Sequence, residues 1–223
     1  MLTTAMFSSK AALAYSELRR LILTGELPPG VRLSQDELAD SMDMSITPLR
    51  EAIRQLGSEG LVVMAAHRDV RVSEVSADEA RQLLQVRLAL EPYATRLAAE
   101  HRTDESLSIM STAAERLLPV NRQSGEEAIQ AHRAFHRAVY VASGNRVMTR
   151  MLDEVWDKSD RYRRLGLSLP EGDSPRTRDL KQHHEILSVV TSGDGAGAER
   201  LARTHVEQSL AVTVLGTLDP PAK

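Results

Sequence analysis

The 223-residue sequence contains no cysteine, which excludes disulfides and thiolate-ligated metal sites. It has few aromatic residues, 3%, and no apolar run approaches the roughly 18 residues that a membrane span needs. The first ten residues lack the basic segment and apolar core of a secretory signal. We therefore expect a cytoplasmic protein without a membrane segment. The net charge of −3 disfavours a general polyanion binder, so any DNA binding requires a local basic patch.

The N-terminal residues predict three short helices and a hairpin. Apolar spacing predicts a first helix over residues 9–23. Ser34 and Glu37 have the spacing of a capping box, which predicts the start of a second helix. Ser45 is expected to cap a third helix, and the short β-rich runs within residues 61–72 predict a hairpin. This order of elements is typical of a winged helix-turn-helix.

From residue 76 onward only helical periodicity is present. The predicted helices cover residues 77–101, 104–119, 125–143, 145–168, 174–192 and 195–216. The sequence thus predicts a mainly α protein, with a winged helix-turn-helix followed by an all-α antiparallel helical bundle. The expected domains are residues 1–75 and 76–218, followed by a disordered tail at 219–223.

Four histidines of the second region are spaced so that they could meet inside a helical bundle. His132 and His136 are four residues apart and share a helix face. His183 and His205 lie on two later predicted helices. Imidazole nitrogens suit Zn, Ni, Cu or Fe, so the pattern allows a metal site; the alternative is that each histidine is buried and hydrogen-bonded without a metal. Three other histidines are expected outside such a site: His67, His101 and His184.

Residues 25–61 closely resemble the GntR family of bacterial regulators. The matching motifs are Gly25-Glu-Leu-Pro-Pro-Gly30, Glu37-Leu38-Ala39, Thr47-Pro48-Leu49-Arg50-Glu51-Ala52-Ile53, Glu59-Gly60-Leu61 and the wing Arg68-x-Val70-x-Val72. The rest of the chain resembles the FadR-like branch with an FCD-type helical domain. The matching motifs there are Val86-Arg87-x-x-Leu-Glu91, Phe135-His136, Ser143-Gly144-Asn145, His183-x-x-Ile186-Leu187 and Gly193-Asp194.

Three positions depart from the family pattern. Ile46 stands where an arginine is common, and Asp69 stands where the wing tip is usually glycine. His132 stands where the first metal ligand is commonly an aspartate. This last exchange removes a negative charge from the expected site and should favour an anionic effector.

The resemblance implies that the third helix enters the major groove of a palindromic DNA operator, bound by a homodimer. Arg50 is the expected base reader, because a guanidinium can bond guanine through two hydrogen bonds. The alternative is that Arg50 and Arg54 belong to a solvated face and pair with Glu51 and Glu59. The full set of expected DNA contacts is Ser45, Thr47, Arg50, Arg54, Arg68 and Arg71.

The resemblance also implies a divalent transition metal, Zn or Ni, held by His132, His136, His183 and His205, with a small carboxylate effector beside it. Arg87 is the expected carboxylate clamp, with Asn145 and Arg161 as further candidates. An ion pair between Arg87 and Glu91 is the alternative for that arginine.

The expected function is therefore that of an effector-controlled transcriptional regulator, a repressor rather than an enzyme. Two alternatives are a histidine-ligated metalloenzyme and a regulator whose metal is purely structural. The helix that carries His132 and His136 has no carboxylate placed as a general base, which disfavours the enzyme.

Overall fold

A computed structural model describes residues 2–64, 69–119, 125–167, 174–209, 214–215 and 218. They fall into two compact units, Met1–Val75 and Ser76–Lys223. The expected tail at 219–223 lies outside the described residues. No helix of the described ranges is long and apolar enough to cross a membrane.

The first unit is the expected winged helix-turn-helix. Its elements are α1 (Leu2–Thr24), α2 (Gln35–Ser41), α3 (Ile46–Ser58), β1 (Val62–Met64) and β2 (Val70–Val72). The two strands are antiparallel, with Val63 opposite Arg71, and an isolated bridge joins Arg32 to Arg71. Helix α1 starts at Leu2, earlier than predicted, because no glycine or proline interrupts the residues before the predicted start.

The local signals of this unit act largely as expected. Ser34 caps α2, since its hydroxyl accepts the backbone N–H of Glu37. Ser45 is the N-cap residue of α3 but makes no side-chain capping bond. Asp43 supplies the left-handed residue of the turn between α2 and α3, with φ 47°. The predicted inner face of α3 is buried in the core of this unit: Leu49, Ala52, Ile53 and Leu56.

The described residues of the second unit form helices and their connections, without a strand. Its elements are α4 (Ala77–His101), α5 (Asp104–Glu115), α6 (Gly125–Ala142), α7 (Arg146–Leu167), α8 (Ser174–Ser192) and α9 (Gly195–Glu207). Helix α4 packs along α9 and also contacts α6, α7 and α8, which places it centrally in the bundle. The buried core includes Phe135, Trp156 and Val190.

Two helices, α5 and α9, end several residues before their predicted boundaries. Helix α5 ends at Glu115 instead of residue 119. The N–H groups of Arg116 and Leu117 bond carbonyls three residues back, and Pro119 disfavours a helical conformation at Leu118. Helix α9 ends at Glu207. The Gln208 N–H is shared between the carbonyls of Thr204 and His205, and the Ser209 N–H bonds the carbonyl of Val206, three residues back.

Ser76 and Glu79 at the start of α4 have the sequence spacing of a reciprocal capping box but form only half of it. Ser76 accepts the backbone N–H of Glu79, as expected. The Glu79 carboxylate, however, accepts a 2.5 Å bond from the Tyr162 hydroxyl on α7. A tertiary contact therefore takes the side chain that the capping box would have used.

Candidate metal centre and DNA-reading surface

Four histidines from three helices meet in the interior of the second unit. His132 and His136 come from α6, His183 from α8 and His205 from α9. One ring nitrogen of each lies within 4.8 Å of the others, and all four side chains are buried. We call this group the histidine cluster.

The sequence of α6 explains why its two histidines point inward. The helix buries one apolar face, which includes Ile129, Phe135 and Val139. His132 lies three residues after Ile129, and His136 lies three residues before Val139, so both share that face. The face that packs the bundle thus also delivers two imidazoles to its interior.

Hydrogen bonds outside the cluster orient two of the rings. The Tyr140 hydroxyl lies 3.1 Å from His136 Nδ1, and Gln182 Oε1 accepts from His205 Nδ1 at 3.2 Å. With the proton on Nδ1, each ring offers its Nε2 lone pair to the cluster. His136 Nε2 lies 2.9 Å from His183 Nε2, and within the described residues His205 Nε2 has no hydrogen-bond partner.

His132 has the opposite arrangement. The Arg163 guanidinium donates to His132 Nδ1 at 2.5 Å, so Nδ1 holds the lone pair and Nε2 the proton. His132 Nε2 lies 3.5 Å from Oδ2 of Asp179. His132 therefore bridges a buried cation and a carboxylate.

Burial lowers the pKa of all four histidines. The positive charge of Arg163 and the neighbouring rings lower the pKa of His132 and His136 further. The pKa of His205 is also lowered, and that of His183 falls to about 4 through burial, although Asp179 opposes this shift. The rings are therefore neutral at pH 7, the form in which imidazole binds a metal.

The histidine cluster fits a divalent transition metal. Two imidazole nitrogens bound to one ion at roughly 2.0–2.1 Å lie about 2.9 Å apart at a 90° angle and about 3.3 Å apart in a tetrahedral Zn site. The 2.9 Å between the Nε2 atoms of His136 and His183 lies at the lower end of this range. Buried nitrogens of His132, His183 and His205 have no hydrogen-bond partner within the described part of the chain, a costly state that coordination would relieve.

The three residues expected to bind a carboxylate have other surroundings in the structure. Arg87 is buried and donates to Glu91 at 2.5 Å, so the ion-pair alternative describes it. Asn145 is exposed, and its Oδ1 caps α7 by accepting the Met148 N–H. Arg161 is buried two residues before Arg163, about 200° away around the same helix, so its side chain leaves α7 in a different direction.

Arg163 is the cation that sequence reasoning missed. Its side chain is buried, it contacts His132, and its Nε has no hydrogen-bond partner among the described residues. Its guanidinium lies 5.3 Å from the ring centre of Trp156, which also faces Arg87 at 4.8 Å. No spacing rule could have linked Arg163 to a histidine 31 residues away.

Tyr140, Asp179 and Gln182 were missed as well, although two of them left a signal. Tyr140 lies four residues after His136, and Asp179 lies four residues before His183. Such spacing places side chains on one helix face. Gln182 reaches His205 across helices and left no such signal.

The described DNA-reading candidates lie at the start of α3, further along α3 and on the wing. Ser45, Thr47 and Arg54 are exposed, and Arg50 is partly buried with its Nε bonded to Gln35 at 3.0 Å. On the wing, exposed Arg71 pairs with Asp69 at 3.0 Å. Arg68 and His67 lie outside the described residues.

The alternative for Arg50 and Arg54 was a solvated face that pairs with Glu51 and Glu59, and among the described residues that pairing is absent. Glu59 binds α1 instead, accepting from the Tyr15 hydroxyl at 2.6 Å and pairing with Arg19 at 3.4 Å. Neither Arg50 nor Arg54 forms an ion pair with Glu51 or Glu59 in the described ranges. Arg54 is exposed, and Arg50 donates to the neutral side-chain amide of Gln35.

Two family models match this chain. The one for bacterial regulatory proteins of the gntR family matches residues 10–72, and the one for the FCD domain matches residues 82–208.

Curated relatives match over nearly the whole chain. An uncharacterised HTH-type transcriptional regulator in an unstable DNA locus of Streptomyces ambofaciens is 34% identical over 196 residues, covering 86% of this chain and 80% of its own. The HTH-type transcriptional repressor GlaR of Escherichia coli (strain K12) is 26% identical over 198 residues, covering 86% and 90%. The transcriptional regulator McbR of the same strain is 27% identical over 205 residues, covering 88% and 89%.

A solved structure of E. coli McbR/YncC has the same fold. It superposes with a TM-score of 0.76 at 24% identity and covers 93% of this chain and 97% of its own.

Proposed function

The chain belongs to the gntR family of bacterial regulatory proteins and carries an FCD domain, and we propose that it is a repressor whose DNA binding is controlled by a small carboxylate held beside a divalent metal. The coarse function, transcriptional regulation, is that of the family. Repression is supported by a relative, GlaR, which is named a transcriptional repressor. Control by a metal-bound effector is proposed on one observation, the buried histidine cluster.

DNA recognition is assigned to α3 and the wing. Arg50 would read a base pair through its guanidinium, and Arg54 and Arg71 are exposed and suited to phosphates. Ser45 and Thr47 are exposed at the N-terminal end of α3, where N–H groups favour phosphate. A palindromic operator bound by a homodimer would use two copies of this surface.

The proposed metal ligands are the four members of the histidine cluster, with Zn or Ni as the candidate ions. When bound, such an ion supplies concentrated positive charge and a Lewis-acid anchor for a carboxylate. Tyr140 and Gln182 hold His136 and His205 in the ligating tautomer.

Arg163 is the proposed carboxylate partner in place of Arg87. For His132 to offer its Nε2 lone pair to the cluster, its proton must lie on Nδ1, and a protonated Nδ1 cannot accept from Arg163. The guanidinium would then need another acceptor within the buried pocket. A carboxylate effector supplies two oxygens that match the guanidinium fork. Metal loading at His132 and carboxylate binding at Arg163 would thus be coupled.

Two experiments test this proposal. The first is gel retardation of the DNA upstream of the gene that encodes this chain. A histidine-ligated metalloenzyme would not bind this DNA. The second is calorimetry of a panel of small carboxylates against the metal-loaded protein. We expect one carboxylate to bind the wild type and to bind Arg163→Gln at least tenfold more weakly, with metal content unchanged.

The same measurements separate the alternatives. If no carboxylate of the panel binds while metal is stoichiometric, the metal is structural. If carboxylate binds Arg163→Gln and the wild type equally, Arg163 is not the partner. Exposed Arg137, on α6, provides the control variant Arg137→Gln.

A further inference from the structure

One carboxylate lies beside three members of the histidine cluster and belongs to no assigned set of ligands. Asp179, one turn before His183 on α8, has 17% of its side chain exposed. Its Oδ2 lies 3.5 Å from His132 Nε2 and 4.0 Å from His183 Nδ1. Its Oδ1 lies 3.6 Å from His205 Nδ1.

The contacts with His183 and His205 are made by Nδ1, which we call the outer nitrogen of these two rings. His183 directs Nε2 toward His136 and Nδ1 toward Asp179. His205 directs Nδ1 toward Asp179 and Gln182. A carboxylate that faces the Nδ1–H of a ligating histidine fixes its tautomer and makes its Nε2 a stronger donor.

The histidine cluster also lacks a negative charge of its own. Four neutral imidazoles carry no charge that offsets a buried divalent cation, and Arg163 adds a further positive charge at His132. The other nearby acids are engaged: Glu91 pairs with Arg87, and Asp160 pairs with Arg133. Asp179 faces the cluster without an arginine or lysine within 4.0 Å among the described residues.

We propose that Asp179 is the anionic positioning residue of the metal centre, which faces the outer nitrogens of His183 and His205 at 4.0 and 3.6 Å and supplies the negative charge that the four imidazoles lack. This rests on the proposed metal site. Because Asp179 also lies 3.5 Å from His132 Nε2, a carboxylate placed at position 132 would bring the same charge to the same side of the cluster.

The test is the affinity of the full-length, chelator-stripped protein for Zn²⁺, measured by competition with a chromophoric chelator. Asp179→Asn keeps the shape of the side chain and removes its charge. The matched control is Glu185→Gln, an acid on the same helix that pairs with exposed Lys181 at 3.6 Å. We expect Asp179→Asn to weaken Zn²⁺ binding roughly 10- to 100-fold and Glu185→Gln to leave it unchanged.

A double variant separates charge from packing. His132→Asp in the Asp179→Asn background restores a carboxylate beside the cluster, and we expect it to recover at least tenfold of the lost affinity. Melting in excess chelator identifies any general loss of stability, which would lower the metal-free midpoint.

The outcomes are distinct. If wild type binds no Zn²⁺, the proposed metal site fails. If wild type binds and Asp179→Asn binds within threefold of Glu185→Gln, only the role of Asp179 is overturned. If Asp179→Asn and the double variant bind Zn²⁺ equally weakly, the charge of Asp179 is not what strengthens metal binding.

Discussion

Replacing His136 by alanine tests the histidine cluster directly. His136 is 4% exposed, and its Nε2 lies 2.9 Å from that of His183. His136→Ala removes a proposed ligand and leaves Tyr140 without its imidazole partner. His184 is the control, because it directly follows His183 in sequence but is exposed. His184→Ala should bind metal as the wild type does.

The expected magnitude follows from linkage between binding and folding. At a free metal concentration 100 times the dissociation constant, binding to the folded state alone adds about 2.7 kcal/mol. For a unit of roughly 150 residues, each kcal/mol shifts the melting midpoint by roughly 2–4 °C. Metal should therefore raise the midpoint of the wild type and of His184→Ala by roughly 5–11 °C.

The assay compares each variant with and without metal. His136→Ala leaves a buried void and will melt lower even without metal, so the informative quantity is the metal-induced shift within each variant. We expect a shift below roughly 2 °C for His136→Ala and substoichiometric metal by elemental analysis. Stoichiometric metal in His136→Ala, or an equal loss in His184→Ala, would refute the ligand assignment.

Three further predictions follow from the same structure. Arg50→Ala should lose roughly 1–3 kcal/mol of operator discrimination by fluorescence anisotropy, with Arg96→Ala, at an exposed position of α4, as control; equal operator affinity would contradict the base-reading role. Sedimentation at micromolar concentration should show a dimer, as two recognition helices roughly 34 Å apart require, and a monomer would count against it. The metal-free protein should lose stability as pH falls from about 6.5 toward 4, because the unfolded histidines take up protons that the buried ones do not. Each histidine contributes up to about 1.4 kcal/mol per pH unit, so a flat thermal profile over this range would contradict the lowered pKa values.

Local pattern predicted most of the fold. A 3.6-residue period places Leu49 and Leu56 on one face of α3, and the structure buries that face in the core. Helix ends were less predictable. Pro119 affects the residue before it, and the Glu79 carboxylate is drawn away by Tyr162, a contact between residues 83 apart.

The site divides in the same way. The four-residue spacing in the sequence indicates both the pair His132 and His136 and the ion pair of Arg87 with Glu91. Arg163 was not visible, since its partner lies on another helix and arginine is common on helix surfaces. Asp179 lies four residues before His183, but the same spacing is typical of ordinary ion pairs along an exposed helix face, so it does not by itself indicate a metal site.

The central claim is that a carboxylate bound near the histidine cluster changes the affinity of the first unit for DNA. The most direct measurement is an anisotropy titration of the upstream operator with metal-loaded protein, in the presence and absence of the carboxylate identified by calorimetry. We expect the carboxylate to weaken operator binding at least fivefold in the wild type, within the usual range of allosteric coupling of roughly 1–3 kcal/mol, and to have no effect on His136→Ala. Identical operator affinity of the wild type with and without saturating carboxylate would contradict the account.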